Sequence, residues 1–395
     1  MAKYSTLVIG GGAAGILAAI SEGRRGESVV ICEKMPQLGK KLLASGNGRC
    51  NLLNEDLSEV HYNPAARNLV RSVFNQFGKP AILSFFNGLG LQVYSQDGRI
   101  FPITNQAASV LKVLEMELKR LSIPVEFNFN CSNISFSPNG FLISSNSGQK
   151  IECRKVIVTG GGKTYPAYGS DGSLYRVAEK LGHSIIEPVP AAVPLTVKDS
   201  LSQILQGQKI FAGVKSIIEG RESAEVRGDL LFTKYGFSGT CILDVSEEIS
   251  VAMNRFHRVE AFLAVDMAPF MDRPQLKMEL EKRKKEQWPA AEMLAGILPN
   301  KFSAALKNIF NDQDIDYMVN SLKDRRFRIS GTRGWNEAEF TSGGVNIDEL
   351  NPITLESKLK KGLHFAGEIL DVNGRRGGYN LGWAWASGWV SGQAG

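Results

Sequence analysis

The sequence has few cysteines, few histidines and no long apolar run. Its five cysteines are scattered through 395 residues and form no Cys-x-x-Cys pair, which argues against a structural zinc site and against a dithiol redox centre. An odd number of scattered cysteines is typical of a reducing compartment, so we expect a cytoplasmic protein. The four histidines do not form a cluster in the sequence, and we predict no metal site.

Neither a membrane nor a polyanion is indicated by the overall composition. The one apolar stretch near the start, residues 7–20, is interrupted by three consecutive glycines and has no signal-peptide cleavage site, so we expect no membrane partner. The net charge of +6 is too small to predict nucleic-acid binding by itself. Two basic runs remain, either as solvated surface or as a landing site for RNA. They contain Lys282, Arg283, Lys284 and Lys285, and Arg325, Arg326 and Arg328.

Glycine, by contrast, is abundant and clustered, which is typical of backbone that approaches a ligand closely. Of the 41 glycines, Gly10, Gly12 and Gly15 define the pattern G-x-G-x-x-G, which also contains Ala13 and Ala14. An apolar strand precedes this turn, a helical pattern follows it, and Glu33 ends the next apolar strand. This order predicts a dinucleotide site in which the helix start binds the pyrophosphate and Glu33 binds the ribose.

The other glycine-rich segments favour FAD over NAD. The pattern G-x-G-x-x-G occurs once, and the Gly-rich tail suits a chain that returns to cover a flavin. A polar loop at residues 39–51 adds hydrogen-bonding groups. The predicted contributors from the loop and the tail are Lys40, Lys41, Ser45, Gly46, Asn47, Arg49, Cys50, Asn51, Gly367, Glu368, Asp371, Gly377, Gly378, Tyr379, Asn380 and Leu381. In the tail, Glu368 and Asp371 have a second interpretation: they could cap helices instead of binding the cofactor.

These segments together resemble the BaiN-like flavoproteins, also described as aminoacetone-oxidase-like FAD-binding enzymes and as NAD(P)/FAD-dependent oxidoreductases. The resemblance rests on GGGAAG at 10–15, the Glu33-Lys34 pair, SGNGRCN at 45–51, TGG at 159–161, KYGFSG at 234–239, TSGGV at 341–345 and the segment 365–388. It implies FAD binding by the residues named above. It also adds Lys34, Thr159, Gly160 and Gly161, with the backbone of Cys131 near the adenine.

The resemblance also implies the α/β architecture. We expect a glutathione-reductase-type, Rossmann-like FAD-binding domain interrupted by a small β-barrel domain and a helical domain. The expected boundaries are 1–190 with 341–395 for the FAD domain, 191–250 with 328–340 for the β-barrel, and 251–327 for the helices. An NAD(P)H domain and a redox disulfide are both missing from the pattern, so NAD(P)H is expected only as a transient electron donor.

Members of the resembled family are assigned reduction of C=C bonds in steroid-like substrates, amine oxidation with oxygen, and reduction of uridine to dihydrouridine in ribosomal RNA. We therefore predict a cytoplasmic FAD-dependent oxidoreductase, a reductase of an activated C=C bond, acting on ribosomal RNA or a small molecule. A small-molecule oxidase or enone reductase, and a non-catalytic flavin-binding protein, remain alternatives. Such a reduction needs a hydride from the flavin and a proton from an acid, for which Cys50 and Tyr379 are candidates.

Overall fold

A computed structural model describes residues 4–258, 260–311 and 314–394, which divide into two compact units. The first contains residues 1–188 and 340–395, and the second contains residues 189–339. The sequence of the first unit is thus discontinuous, as in a nucleotide-binding domain that carries an insertion. No helix in the described ranges is long and apolar enough to cross a membrane.

The first unit is built on a sheet whose parallel strands run in the order β6-β2-β1-β9-β19. This order, with the first strand at the centre, is typical of dinucleotide-binding folds. Two antiparallel strands, β7 and β8, extend the sheet from the first half of β9. These strands are β1 (Tyr4–Ile9), β2 (Val29–Glu33), β6 (Val125–Phe127), β7 (Cys131–Ser137), β8 (Gly140–Ser145), β9 (Lys150–Val158) and β19 (Leu363–Phe365).

Helices and shorter strands surround this sheet. The helices are α1 (Ala13–Arg24), α2 (Lys40–Ala44), α3 (Arg67–Gln76), α4 (Lys79–Gly88), α5 (Ala107–Arg120), α6 (Ser173–Lys180) and α13 (Tyr379–Gln393). A three-stranded antiparallel sheet contains β3 (Leu53–Asn54), β5 (Arg99–Pro102) and β4 (Val93–Gln96) in that spatial order. Two further strands, β10 (Ile185–Ala191) and β18 (Phe340–Val345), pair where the chain passes between the units.

The second unit is a closed six-stranded antiparallel barrel with helices attached. The ring runs β12-β14-β15-β11-β17-β16 and closes because β16 pairs with β12, while β13 pairs with β12 outside the ring. Its strands are β11 (Leu195–Val197), β12 (Lys209–Ile218), β13 (Arg221–Glu222), β14 (Val226–Thr233), β15 (Gly236–Ser238), β16 (Ala261–Asp266) and β17 (Arg325–Thr332). Its helices are α7 (Ser200–Ile204), α8 (Thr240–Ser250), α9 (Arg273–Lys285), α10 (Asn300–Ala305), α11 (Lys307–Phe310) and α12 (Ile315–Lys323).

The fold class predicted from the sequence, a Rossmann-like domain with a β-barrel and helices, is confirmed. The detail inside the insertion differs. Strand β16 lies in the segment 251–327 that was predicted as helical, and α8 lies in the segment 191–250 that was predicted as β. Helices and barrel share one apolar core, in which Phe302 of α10 packs edge-on against Phe232 of β14 with ring centroids 5.3 Å apart. The helical segment therefore buries its apolar face on the barrel.

Within the first unit, α13 packs against α1 at direct backbone contact. A methyl group on Gly388 would lie 2.2 Å from the carbonyl oxygen of Ala14, and one on Gly392 would lie 2.6 Å from that of Ala18. Both pairs advance by four residues, so the two helices run parallel, with their N-termini on the same side.

We expect Gly388→Ala to lower the free energy of unfolding by about 1–3 kcal/mol, because the added methyl group must push α13 away from α1. The matched control is Gly88→Ala in α4, where a methyl group would meet no atom within 4 Å. Chemical denaturation of the two variants measures the difference. Equal stability of both would contradict the close packing of the helices.

Candidate functional site

The turn between β1 and α1 has an open position at Gly12. A methyl group built on Gly10 would lie 2.7 Å from the carbonyl oxygen of Thr159, and one on Gly15 would lie 1.8 Å from that of Gly10. The protein itself therefore requires these two glycines. On Gly12 the same methyl group would meet no atom within 4 Å, and its φ of −83° suits any residue. Space beside Gly12 is thus available to a ligand.

Helix α1 starts at this open position without a side-chain cap. Gly12 is the N-cap residue, and no side chain accepts a hydrogen bond from the first turn. The first backbone N–H groups of a helix have no intrahelical acceptor, and the positive end of the helix dipole lies there. Ala13 and Ala14, which occupy this turn, contribute no bulk. This geometry suits a phosphate group.

Glu33 lies at the end of β2 beside this turn. One carboxylate oxygen accepts the N–H of Gly11 at 2.6 Å and the other accepts the N–H of Met35 at 2.7 Å. Burial raises the pKa of this carboxyl, while the two backbone N–H groups oppose the shift. Each oxygen keeps a further lone pair, so the carboxylate can still accept a ribose hydroxyl. The neighbouring Lys34 forms an ion pair with Asp171 at 2.7 Å.

Thr159, at the end of β9, ties the turn to the next strand. Its hydroxyl donates to the carbonyls of Ile9 and Gly10 at 2.8 and 2.9 Å. Gly160 and Gly161 follow, and a methyl group on Gly161 would lie 2.9 Å from the Ser170 hydroxyl. That hydroxyl is buried and has no hydrogen-bond partner among the described residues. An unsatisfied buried hydroxyl beside a predicted cofactor residue is consistent with a group that binds there.

A hydrogen-bonded cluster joins three distant segments, and the sequence predicted only two of its members. Lys41 contacts Glu368 at 2.5 Å and the Thr164 hydroxyl at 2.6 Å. The other Glu368 oxygen accepts the N–H of Thr341 at 2.9 Å and the Thr164 hydroxyl at 3.2 Å. Glu368 is thus held by two side chains and one backbone N–H from other segments rather than acting as a simple helix cap. Thr341 was visible only as part of the motif TSGGV, and Thr164 carried no motif.

The polar loop after α2 is held in left-handed backbone conformations at Gly46, Asn47, Gly48 and Cys50. Ser45 donates to the carbonyl of Leu42 at 2.6 Å, and Arg49 stacks 4.4 Å from the Phe101 ring. Asn51 bridges to the tail when its amide is oriented to satisfy both partners: it donates to the carbonyl of Leu53 and accepts the N–H of Gly378. Lys40, which begins α2, is half-buried.

Two of the predicted cysteines lie in the interior. Cys50 is fully buried in the apolar core, and burial raises the pKa of its thiol to about 12. Such a thiol is a poor proton donor to a substrate, although its role stays a prediction. Cys131 begins β7 and is also buried, and its neighbour Phe129 donates its N–H to the carbonyl of Glu33.

The tail residues gather at the start of α13. Gly378 has a φ of 99°, and a methyl group there would lie 2.3 Å from the backbone of Leu53, so the chain's own packing requires this glycine. Asn380 exchanges two hydrogen bonds of 2.8 Å with the backbone of Gly374. Gly377 is held through its carbonyl by Asn54 at 2.9 Å. Leu381 packs on the core, and Asp371 donates its N–H to Val345.

The start of α13 lies ahead of the open position at Gly12. Gly388 is level with Ala14, and Tyr379 precedes Gly388 by nine residues, or about 13 Å of helix rise. The first backbone N–H groups of α13 point in the same direction as those of α1. Two adjacent, parallel helix starts without side-chain caps are therefore offset along their common direction, which suits an elongated ligand with a phosphate at one end.

The basic runs do not form one free surface. Arg283 is buried, contacts Glu279 at 2.7 Å and donates to the carbonyls of Met293 and Ala295 at 3.0 and 2.8 Å. Arg326 is paired with Glu222 and Asp324. Neither alternative given for the basic runs, solvated surface or RNA landing site, holds for Arg283, because its buried guanidinium donates to backbone carbonyls inside the second unit. Lys282, Lys285 and Arg328 remain exposed.

Comparison with known proteins identifies the family of this site. A family model described as the HI0933-like protein Rossmann domain matches residues 4–394. The chain belongs to the HI0933-like family. It is therefore an FAD-dependent oxidoreductase, and the resemblance inferred from the motifs is confirmed.

Members of the HI0933-like family with assigned activities are similar over their whole length. The chain is 36% identical to a 3-dehydro-bile acid delta(4,6)-reductase of Clostridium scindens, with 98% of both chains covered. It is 27% identical to a ribosomal RNA dihydrouridine synthase of Escherichia coli, with 100% of this chain and 98% of that protein covered. The first relative is named as a reductase and the second as a synthase of dihydrouridine, the form of uridine whose C=C bond is saturated. The prediction of an FAD-dependent reductase is confirmed.

A solved structure shows the same fold at low identity. The 3-ketosteroid delta1-dehydrogenase of Sterolibacterium denitrificans superposes with a TM-score of 0.51 at 13% identity, covering 98% of both chains. In the residues described for the present chain, no group of three or more histidine, cysteine or acidic side chains could hold a metal ion.

We expect Gly12→Val to abolish FAD retention without destabilising the apoprotein, because its side chain fills space that the protein leaves open. Flavin content after purification and denaturation of the apoprotein measure the two effects. The matched variant Gly15→Ala should instead destabilise the fold, since its methyl group meets the Gly10 carbonyl. Full flavin content in Gly12→Val would refute the phosphate site.

Proposed function

We propose that this protein reduces a C=C bond conjugated to a carbonyl group, with NAD(P)H as the electron donor. The observation that carries the proposal is the open position at Gly12 in front of the uncapped α1, with Glu33 beside it and the start of α13 ahead of it. These residues fit FAD, which supplies the hydride once it is reduced. The free cysteines support a cytoplasmic location.

In this proposal, the protein contributes binding and proton donation. The N–H groups of Ala13 and Ala14 bind the pyrophosphate, and Glu33 binds a ribose hydroxyl. The Lys41–Glu368 ion pair, together with Thr164 and Thr341, holds the tail against α2. The first turn of α13 stabilises negative charge that develops at its N-terminus.

A small unsaturated ketone is the substrate class that we favour. The relative named as a bile acid reductase is 36% identical, against 27% for the E. coli RNA-modifying relative. Arg283 is also buried, and the exposed Arg326 is already ion-paired with Glu222 and Asp324. Uridine in ribosomal RNA remains the second candidate, since that relative covers the whole chain and Lys282, Lys285 and Arg328 are exposed.

The test is anaerobic reduction followed by re-oxidation. We expect purified protein to be yellow, to be bleached by NADH or NADPH, and to regain its colour when a steroid 3-oxo-4-ene is added. Ribosomal RNA lacking dihydrouridine and molecular oxygen are the parallel trials. Re-oxidation by oxygen alone would contradict the proposal in favour of an oxidase. A protein that binds FAD but accepts no electrons would instead be a flavin-binding protein.

Tyr379 is the proton donor that we favour over Cys50. Tyr379, at the start of α13, keeps 7% of its surface exposed, whereas Cys50 is fully buried at 0%. We expect Tyr379→Phe to lower the rate of C=C reduction by about 10²–10⁴-fold, because proton transfer by a positioned side chain contributes that much. Reduction by NAD(P)H should be unchanged. Stopped-flow absorbance of the flavin separates the two half-reactions.

The matched variant is Cys50→Ala, which should retain substrate reduction and FAD. A loss of the substrate half-reaction in Cys50→Ala, with full activity in Tyr379→Phe, would assign the proton to the thiol instead.

A further inference from the structure

Two arginines are associated with the segment that leads into α13: Arg375 belongs to that segment, and Arg99 of β5 lies beside it. A methyl group on Gly377 would lie 3.6 Å from Nε of Arg99 and 3.8 Å from Cε2 of Tyr379. Arg99, on β5, and the Tyr379 ring are therefore both adjacent to this one backbone position. Gly377 itself is held by Asn54, which is the cross-strand partner of Arg99 on β3. The Arg99 guanidinium therefore lies on a surface that backbone pairing and the Asn54 hydrogen bond hold in place.

The backbone of Arg375 is anchored beside the Tyr379 ring through His61. Its N–H donates to the carbonyl of His61 at 3.0 Å, and the His61 ring packs on the Tyr379 ring with centroids 4.7 Å apart. Burial raises the pKa of the Tyr379 phenol and Asp56 adds to this, whereas the positive charges of Arg375 and Arg99 oppose it. Arg99 thus lies beside Gly377 next to the Tyr379 ring, and the backbone of Arg375 is held by His61, whose ring packs on Tyr379.

Neither guanidinium is neutralised by the protein. Arg99 and Arg375 are exposed, and neither forms an ion pair with any residue in the described ranges. The nearby acids already have partners. Asp56 contacts His61 at 2.7 Å, Glu55 contacts Lys79 at 2.9 Å, and Glu59 contacts Arg71 at 2.8 Å.

A third arginine extends this surface. Arg49 stacks on Phe101, which follows Arg99 by two positions on β5, so Arg99 and Phe101 share a face of the strand. Planar guanidinium groups bind carboxylate and phosphate oxygens through paired hydrogen bonds. Unpaired arginines beside a candidate proton donor are therefore suited to an anionic ligand.

We propose that Arg99 and Arg375 bind an oxyanion of the substrate, a carboxylate or a phosphate ester, and so place its C=C bond beside Tyr379. The inference rests on the proposed reductase function and adds a substrate property to it: the substrate carries a negative charge away from the reacting bond. A carboxylate would come from the side chain of a steroid acid, and a phosphate ester would come from a nucleotide unit.

The experiment measures binding to the oxidised holoenzyme without turnover. Two pairs of probes are titrated against the visible flavin spectrum: a steroid 3-oxo-4-ene with a side-chain carboxylate and its methyl ester, and uridine 5′-monophosphate and uridine. We expect the charged member of one pair to bind at least tenfold more tightly than the neutral member. Arg99→Gln and Arg375→Gln should each remove about tenfold of that preference and leave the neutral member unaffected.

Three variants serve as controls. Arg99→Lys should restore part of the preference because it keeps the charge. Arg71→Gln, on the exposed α3 face beside Glu59, should change nothing. Flavin content and melting temperature verify that each variant is folded.

Equal affinity for the charged and neutral members of both pairs would overturn the proposal, as would an equal loss for both members in the glutamine variants. A preference for NADPH over NADH that the variants abolish, without an effect on either probe pair, would assign the arginines to the electron donor and overturn the substrate site. Because binding is measured without turnover, a failure of the reductase function would be seen separately, as unreduced substrate.

Discussion

The parallel contact between α1 and α13 is the constraint on which the rest of the site depends. Gly388 on Ala14 and Gly392 on Ala18 bring the two helix backbones together without intervening side chains. This contact fixes both the direction and the offset of the helices. It places the start of α13, which comes from the last residues of the chain, ahead of the phosphate turn formed by the first residues.

The same contact positions the segment that precedes α13. Gly367 lies against the Cβ atom of Ala14, its N–H donates to the Ser387 hydroxyl at 3.0 Å, and its carbonyl accepts from the Trp383 indole at 3.1 Å. The next residue, Glu368, is thereby presented to Lys41 and Thr341. A carboxylate that appears in the sequence as one more acidic residue of the tail is thus fixed by helix packing on one side and by an ion pair on the other.

The glycines show which parts of the site could be predicted and why. The strand, turn, helix and acidic residue around Gly12 could be predicted from the sequence because they are local and follow a fixed order. It could not distinguish glycines needed for a ligand from those needed for packing. Gly12 faces open space, whereas Gly378, predicted as part of a flavin platform, is required by the backbone of Leu53. That distinction depends on which distant segment lies opposite each glycine.

Charge was harder still to interpret from the sequence. The conspicuous basic run around Arg283 is partly internal, because its guanidinium completes the hydrogen bonding of backbone carbonyls in the second unit. Arg99 and Arg375 are 276 positions apart in the sequence. Arg99 lies beside Gly377, two residues after Arg375, only because β5 packs against the tail. Local density of charge therefore did not distinguish Arg283, which the fold buries, from Lys282 and Lys285, which remain exposed. The pair proposed to bind an anion comes from β5 and the tail. Asn54 holds the tail at Gly377, and His61 holds it at Arg375.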